Sequence, residues 1–282
     1  MERIDVTRAD GARMTISAMG EGPNLFCIAG GPGRSAVYLG DLGGLTTTRT
    51  LMIPDARGTG GSDDAVDPAG WRVTEVAKDL PLAAAAVSTG PIDVLAHSAG
   101  SSAALLFAAS HPERINRLVL VTPSARGLPD GTSDADRIRE SRRAEPLVAE
   151  AIAARERLLA GAEPDEVDQL VSRMNPMFYG PWTESAQQHA DAEATQVNPT
   201  ARSEFYSEAF TLDAVAPKLA ACTAPVLILT GALDCATGVS TGDHIASLFP
   251  TAAHITLDGC GHFPWVDAPE RFCAAVDGFL QA

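Results

Sequence analysis

The sequence predicts an α/β fold: a doubly wound, mostly parallel β-sheet with an inserted helical cap. Two observations lead to this prediction. Along most of the 282 residues, short apolar runs that end in Gly, Pro or Asp alternate with helical stretches. Between residues 124 and 210 this alternation stops, and the chain becomes polar and helical. Near-continuous apolar strands are typical of a sheet that helices cover on both faces.

The predicted elements follow one another in strand–helix order. The first segment, Ile4–Met19, is predicted to form an antiparallel hairpin at one edge of the sheet. Buried strands are predicted at Leu25–Ile28, Leu51–Ile53, Ile92–Leu95, Leu118–Val121, Val226–Leu229 and His254–Leu257. Helices that cover this sheet are predicted at Val73–Val87, Ser101–Ser110 and Pro269–Leu280.

The polar segment after the fourth buried strand predicts the cap. Residues 124–210 contain 16 acidic side chains and 9 arginines, a net charge of −7, and no lysine. Helical spacing is clearest in Asp136–Ala160 and Glu163–Met174. We therefore expect a core in residues 1–123 and 213–282. The cap, residues 124–212, should lie above the C-terminal edge of the sheet.

Charge and composition exclude several classes of function. With 36 acidic against 21 basic side chains, the net charge is −15, which disfavours nucleic acids and anionic membranes as partners. The five cysteines include no C-x-x-C pair, which argues against a disulfide framework or a structural zinc site. We see no signal peptide and no apolar stretch of transmembrane length. We therefore expect a cytoplasmic protein without metal or cofactor.

A serine lies at a strand-to-helix junction. Strand Ile92–Leu95 runs into A-H-S-A-G at residues 96–100, and a helical stretch follows. Small residues on both sides of Ser98 let strand and helix approach closely, which holds a serine in a strained turn with its Oγ exposed. The pattern predicts a nucleophile, although serine is also a preferred helix N-cap.

A base and an acid follow two later strands. His262 lies in G-H-F after the last strand, and Asp234 lies in G-A-L-D after strand Val226–Leu229. The chain order Ser, Asp, His matches a nucleophile–acid–base set on an α/β sheet. We expect His262 to take the proton of Ser98 and Asp234 to orient the imidazole. The alternative for Asp234 is a turn-capping role.

Two backbone amides are predicted to stabilise an oxyanion. One is the N–H of Ala99, directly after the serine. The other is the N–H of Gly31 in the loop A-G-G-P-G, where no side chain blocks close approach.

These motifs together resemble the α/β-hydrolase superfamily, and within it the proline iminopeptidase-like branch. The resemblance rests on the A-G-G-P-G loop at 29–33, D-x-R-G-x-G-x-S at 55–62, the serine turn, G-x-x-D and G-H-F. The branch usually has His at the position of Ala29 and a larger residue at that of Ala99. The resemblance implies metal-free hydrolysis of an amide next to a free amino terminus that cap carboxylates hold.

The cap supplies candidate substrate-binding residues. Its aromatic side chains either line an apolar substrate pocket or pack the cap onto the core. Its acidic side chains either hold a cationic amine or face solvent. The candidates are Phe178, Tyr179, Trp182, Glu184, Glu204, Tyr206 and Glu208.

The predicted function is that of a serine hydrolase acting through an acyl-enzyme. The favoured substrate is a small amide, an aminoacyl group or a short peptide, as for an aminopeptidase. The first alternative is a carboxylesterase or thioesterase on a small acyl substrate. The alternative of another class is a catalytically inactive binding protein with a hydrolase fold.

Overall fold

An eight-stranded sheet occupies the centre of the computed structural model, which describes residues 2–208 and 210–281. Its spatial order is β1-β2-β4-β3-β5-β6-β7-β8. The strands are β1 (Glu2–Thr7), β2 (Arg13–Gly20), β3 (Asn24–Ile28), β4 (Thr50–Pro54), β5 (Ile92–His97), β6 (Ile115–Val121), β7 (Val226–Gly231) and β8 (Ala252–Leu257). Strands β1 and β2 form the predicted antiparallel hairpin at one edge. Along the spatial order from β4 to β8, every pair of neighbouring strands is parallel. The predicted fold class is therefore confirmed.

Eleven α-helices connect or follow these strands in the described residues. Five belong to the strand–helix alternation: α1 (Val73–Val87), α2 (Ala99–Ser110), α9 (Ser240–Ala246), α10 (Pro264–Asp267) and α11 (Pro269–Gln281). The other six lie between β6 and β7, in the segment of residues 122–225 that we call the insertion: α3 (Ala135–Ser141), α4 (Pro146–Leu159), α5 (Val167–Met174), α6 (Glu184–Asp191), α7 (Pro199–Glu204) and α8 (Ala216–Leu219).

The insertion departs from the predicted helices in two places. The stretch Asp136–Ala160, predicted as helical, forms two helices, since α3 ends at Ser141 and α4 begins at Pro146. Proline has no N–H and disfavours a helical residue before it, so a helix restarts at a proline more easily than it passes through one. The second predicted helix, Glu163–Met174, begins only at Val167. The predicted domain boundaries at 123/124 and 212/213 stay a prediction.

Apolar layers cover both faces of the sheet. On one face Phe26 and Ile228 pack with Leu80 of α1 and Phe107 of α2. Later residues of the insertion belong to this layer too, among them Phe205, Leu212 and Leu219. The opposite layer joins strand residues to α11. In the described part of the chain, no helix has both the length and the apolarity needed to cross a membrane.

The D-A-R-G-T-G-G-S motif forms a tight turn after β4. The carboxylate of Asp55 accepts the N–H of Gly61 at 2.9 Å. Arg57 donates to both carboxylate oxygens of Asp79 on α1, at 2.7 and 2.9 Å. This bidentate pair is buried, and such a pair fixes geometry well because the guanidinium fork matches a carboxylate. The motif therefore ties the turn after β4 to the helix layer.

Candidate active site

Ser98 lies in a strained turn between β5 and α2. Its backbone has φ 50° and ψ −122°, a region that residues other than glycine rarely adopt. Glycine is required around it by close packing: a Cβ at Gly100 would lie 2.4 Å from the carbonyl oxygen of Ala29. A Cβ at Gly30 would lie 2.3 Å from the carbonyl oxygen of His97. The small residues of both motifs therefore let the turn form and leave the Ser98 hydroxyl accessible.

The structure brings Ser98, His262 and Asp234 together in hydrogen-bonding order. His262 Nε2 is 2.9 Å from Ser98 Oγ, and His262 Nδ1 is 2.9 Å from Asp234 Oδ2. A carboxylate only accepts, so the imidazole proton lies on Nδ1 and Nε2 is free to accept the serine proton. Parallel strands all end at the same edge of a sheet, which is why loops distant in sequence meet here.

Asp234 is fully buried and carries three further hydrogen bonds. Its oxygens accept the N–H groups of Ala236 and Thr237 at 2.7 and 3.2 Å, and the Thr237 hydroxyl at 2.7 Å. Burial raises the pKa of this carboxyl, but His262 and the hydrogen bonds outweigh burial, so the pKa is lowered overall. The group is therefore held as a carboxylate that can stabilise an imidazolium.

The two amides predicted to form the oxyanion hole remain without acceptors. Among the described residues, neither the N–H of Gly31 nor that of Ala99 donates a hydrogen bond. Ala99 is the first residue of α2, where N–H groups have no intrahelical acceptor and the helix dipole is positive. Gly31 has φ +54°, a conformation that glycine adopts without strain. Both amides are thus available to an anionic oxygen near Ser98.

A buried relay of hydrogen bonds joins the Gly31 loop to the His262 loop. The N–H of Gly30 donates to the Tyr38 hydroxyl at 2.7 Å, and this hydroxyl lies 2.7 Å from His97 Nδ1. His97 Nε2 lies 3.0 Å from the carbonyl oxygen of His262. Because a carbonyl only accepts, His97 is protonated on Nε2, and its Nδ1 accepts the hydrogen bond that the Tyr38 hydroxyl donates. Burial, with His262 nearby, lowers the pKa of His97 well below its ordinary value, so the ring stays neutral.

A cavity of about 180 Å³ opens beside Ser98 and His262. Of the predicted substrate-binding residues, Phe178 and Tyr179 line it. The side chains of Arg34, Tyr38, Asn175, Glu193 and Phe263 also line it, and the sequence reasoning did not select these as site residues. For Arg34 the sequence did contain a signal, because this residue directly follows the A-G-G-P-G loop.

The other predicted substrate-binding residues lie outside this cavity lining. Trp182 packs against Tyr179, with ring centroids 5.3 Å apart. The Tyr206 hydroxyl is 2.9 Å from the hydroxyl of Ser102 on α2, which draws it into the core layer. The remaining three are acidic and none of them lines the cavity: Glu184, Glu204 and Glu208. Glu184 is exposed at the start of α6, and Glu208 pairs with an arginine near the surface.

Arg34 and Glu193 form a charged cluster at the cavity wall. Arg34 donates to Gln196 Oε1 at 2.8 Å, to Glu193 Oε2 at 3.2 Å and to the carbonyl oxygen of His189 at 2.9 Å. The other oxygen of Glu193 accepts from Arg202 at 2.7 Å. Only 2% of the Arg34 side chain is exposed, and burial lowers the pKa of its guanidinium. The cluster attaches the insertion to the loop that carries Gly31.

The insertion also contacts the His262 loop. The N–H of His262 donates to the carbonyl oxygen of Phe178 at 2.7 Å. Asp267 Oδ2 accepts the N–H groups of Gly180 and Gly261, at 3.0 and 2.7 Å. Burial raises the pKa of Asp267 to about 6. The backbone position of His262 therefore depends on the insertion as well as on β8.

The family described as alpha/beta hydrolase fold matches residues 23–269. A proline iminopeptidase from Heyndrickxia coagulans is 24% identical over 290 residues, covering 99% of this chain and 98% of that protein. A proline iminopeptidase structure from Mycobacterium smegmatis has a TM-score of 0.76 at 22% identity and covers 99% of this chain and 98% of that one. An esterase structure from Rhodococcus sp. ECU1013 has a TM-score of 0.78 at 22% identity and covers 100% and 99%. The predicted resemblance is confirmed: the chain belongs to the alpha/beta hydrolase fold family and is a hydrolase.

Proposed function

We propose that this protein is a serine hydrolase that cleaves a small ester or amide through an acyl-enzyme. One observation carries the proposal: Ser98 Oγ, His262 and the buried Asp234 form a continuous hydrogen-bonded series with 2.9 Å at each contact. An inactive binding protein would need neither this alignment nor the strained backbone of Ser98, so that alternative explains neither feature.

In the first half of the proposed reaction, Ser98 Oγ attacks the substrate carbonyl carbon while His262 Nε2 accepts the hydroxyl proton. The carbonyl oxygen becomes an oxyanion that the N–H groups of Gly31 and Ala99 stabilise. Asp234 stabilises the imidazolium that forms. When the tetrahedral species collapses, the bond to the leaving group breaks, and His262 gives the proton to the departing alcohol or amine.

In the second half, a water molecule attacks the acyl-enzyme carbonyl. His262 accepts a proton from this water, and the same two amides hold the second oxyanion. Collapse breaks the bond to Ser98 Oγ, which takes the proton back from His262. The acid is released, and the enzyme returns to its starting protonation state without a metal or cofactor taking part.

The cavity favours a small ester over an aminoacyl amide. The predicted amine-binding carboxylates Glu184, Glu204 and Glu208 do not line it, and Glu193, which does, is paired with two arginines. Its volume of about 180 Å³ suits a short acyl group. An aminopeptidase remains the second candidate, because the full-length relative from Heyndrickxia coagulans is a proline iminopeptidase.

A fluorophosphonate probe tests the proposed nucleophile directly. Because this reagent reacts with activated serines, we expect mass spectrometry of the labelled protein to find the adduct on Ser98. We also expect Asp234→Asn to label far more slowly, since the imidazole would no longer be held in the accepting tautomer. A folded protein that stays unlabelled would remove the main support for the proposed serine-hydrolase mechanism.

Matched substrates separate the two candidates. Ethyl esters of an amino acid and of a short fatty acid have the same leaving group, so their kcat/KM values can be compared directly. We expect the short acyl ester to be preferred. Faster cleavage of an aminoacyl anilide than of its N-acetylated analogue would instead identify an aminopeptidase.

A further inference from the structure

The cluster of charged side chains at the cavity wall carries more positive than negative charge. Arg34 and Arg202 share the single carboxylate of Glu193, so the three groups together carry one net positive charge. The other titratable groups beside Arg34 do not balance it. His189 is neutral, because burial lowers its pKa to about 4, and burial raises the pKa of Tyr38 and Tyr179 so that both keep their protons.

Arg34 retains donors that no described residue uses. A guanidinium has five N–H groups, and three of them donate to residues of the insertion. One N–H on each terminal nitrogen is therefore left without a partner among the described residues. The Asn175 side chain lines the same cavity and makes no side-chain hydrogen bond in the described part of the chain. Unused donors on a buried cation strongly favour an anionic acceptor over water or a neutral group.

The position of Arg34 relates these donors to the reacting carbonyl. The N–H of Arg34 donates to the Gly31 carbonyl oxygen at 2.6 Å, and a Cβ at Gly31 would lie 3.2 Å from the Arg34 Cβ. The guanidinium stacks over the Tyr38 ring, with Cζ 4.6 Å from the ring centroid. Arg34 is thus fixed beside one of the two amides proposed to hold the oxyanion, and it borders the cavity that contains Ser98.

We propose that the cavity selects acyl substrates that carry a second, anionic group, such as the half-ester of a short dicarboxylic acid, with Arg34 as the residue that receives the carboxylate. The proposal rests on the serine-hydrolase function above and names its substrate class. It also gives a physical reason against a free α-amine, which would lie in the field of an incompletely neutralised guanidinium. Glu193 has the opposing role of lowering the net charge of the cluster.

Three ethyl esters that differ in charge test this proposal: monoethyl succinate, ethyl pentanoate and ethyl 3-aminopropanoate. Proton release at constant pH measures hydrolysis of each. We expect kcat/KM for monoethyl succinate to exceed that for ethyl pentanoate by about tenfold, mainly through KM, as expected for one charged hydrogen bond. Ethyl 3-aminopropanoate should be the poorest of the three. Equal values for the succinate and pentanoate esters would overturn the proposal.

Substitutions assign the preference to the cluster. Glu193→Gln removes the opposing charge and should increase the preference for the succinate ester by a few-fold, whereas Arg34→Gln should abolish it. Arg137→Gln removes the same charge from an exposed position of α3 and should leave the preference unchanged. If Arg34→Gln does not fold, Glu193→Gln alone still tests whether this cluster causes the preference for the succinate ester. An unchanged preference in Glu193→Gln would contradict that role.

Two measurements keep this proposal separate from the proposed function. If a fluorophosphonate labels Ser98 and all three esters are cleaved equally, only the charge selection fails. If there is neither labelling nor turnover, the hydrolase proposal fails, and calorimetric titration of Ser98→Ala with monoethyl succinate and ethyl pentanoate still tests charge selection. We expect binding of monoethyl succinate to be the tighter of the two. Equal affinities would overturn the selection independently of catalysis.

Discussion

The strand-end loops and the insertion contribute to the same cavity by different physical means. Ser98, Asp234 and His262 each follow a parallel strand of the sheet, so the sheet sets where their three loops begin. The insertion reaches the cavity through polar contacts, chiefly the cluster of Arg34 and Glu193 and the backbone hydrogen bond from His262 to Phe178. The proposed chemistry therefore depends mainly on the core, with the insertion supporting the His262 loop, and substrate choice depends on how the insertion is attached.

The largest expected effect comes from the strand-end loops. We expect Ser98→Ala and His262→Ala each to reduce turnover by a factor of roughly 10⁴–10⁶, since each removes an essential partner in proton transfer and attack. Ser110→Ala, at the exposed end of the same helix, is the matched control and should keep the wild-type rate. Ester hydrolysis and circular dichroism measure activity and folding. A folded variant with wild-type turnover would contradict the role assignment.

The next largest effect separates two Asp–His pairs of the same chain. Asp234→Asn should lower kcat by a factor of roughly 10³–10⁴, because the amide favours the wrong imidazole tautomer. Asp243→Asn is the control, since Asp243 is 2.7 Å from His254 Nδ1 in a second Asp–His pair, which lies at the surface and away from Ser98. Steady-state kinetics on a short acyl ester measure both. Similar losses in the two variants would mean that the Asp234 variant acts through stability alone.

A smaller effect is expected from the relay between the two loops. Tyr38→Phe leaves the Gly30 N–H and His97 Nδ1 without their partner, which costs about 1–3 kcal/mol locally and loosens the loop that carries Gly31. We expect kcat to fall by about tenfold. Tyr206→Phe, which loses hydroxyl contacts to Ser102 and Ser124, should change kcat less than twofold. The opposite ranking of the two tyrosines would show that the relay has no positioning role.

The smallest effect on turnover is expected at the contact of the insertion with the His262 loop, where the change is one of stability. The pKa of Asp267 is raised from 3.8 to about 6, so the folded chain holds this proton more tightly than the unfolded chain. The stability from this proton is complete below about pH 4 and is lost as pH rises through about 6, by at most about 3 kcal/mol.

Asp267→Asn should remove this pH dependence. Urea unfolding at pH 4 and pH 7 measures the free energy of unfolding of wild type and variant. The difference in this free energy between the two proteins should change from pH 4 to pH 7. Asp258→Asn, at an exposed position nearby in the chain, is the control. A parallel pH dependence in wild type and Asp267→Asn would show that the carboxyl does not titrate in this window.

Local patterns were sufficient for the strands and for the order of the candidate triad. Apolar runs ending in Gly or Asp predicted β3 to β7, because a strand buried on both faces allows few polar residues. The strand predicted at His254–Leu257 is present as β8, but it lies at the edge of the sheet and most of its residues are exposed, so its predicted burial is wrong. The insertion was predicted less well. Both its exposed helices and its cavity lining contain acidic side chains, and the sequence does not distinguish them. Glu184, Glu204 and Glu208 were chosen as acids of the cap that could hold an amine, and the cavity lining contains Glu193 instead.

By itself, the sequence determined the alternation of strands and helices, the small residues around Ser98 and the order in which a nucleophile, an acid and a base follow their strands. These features follow from short-range packing and backbone geometry. Only the tertiary structure decided that Arg34 lies against Glu193, which is 159 residues later in the chain, and that Glu193 pairs with two arginines. Such long-range pairing depends on how the insertion folds back over the sheet, so the electrostatic character of the cavity could not be predicted from composition.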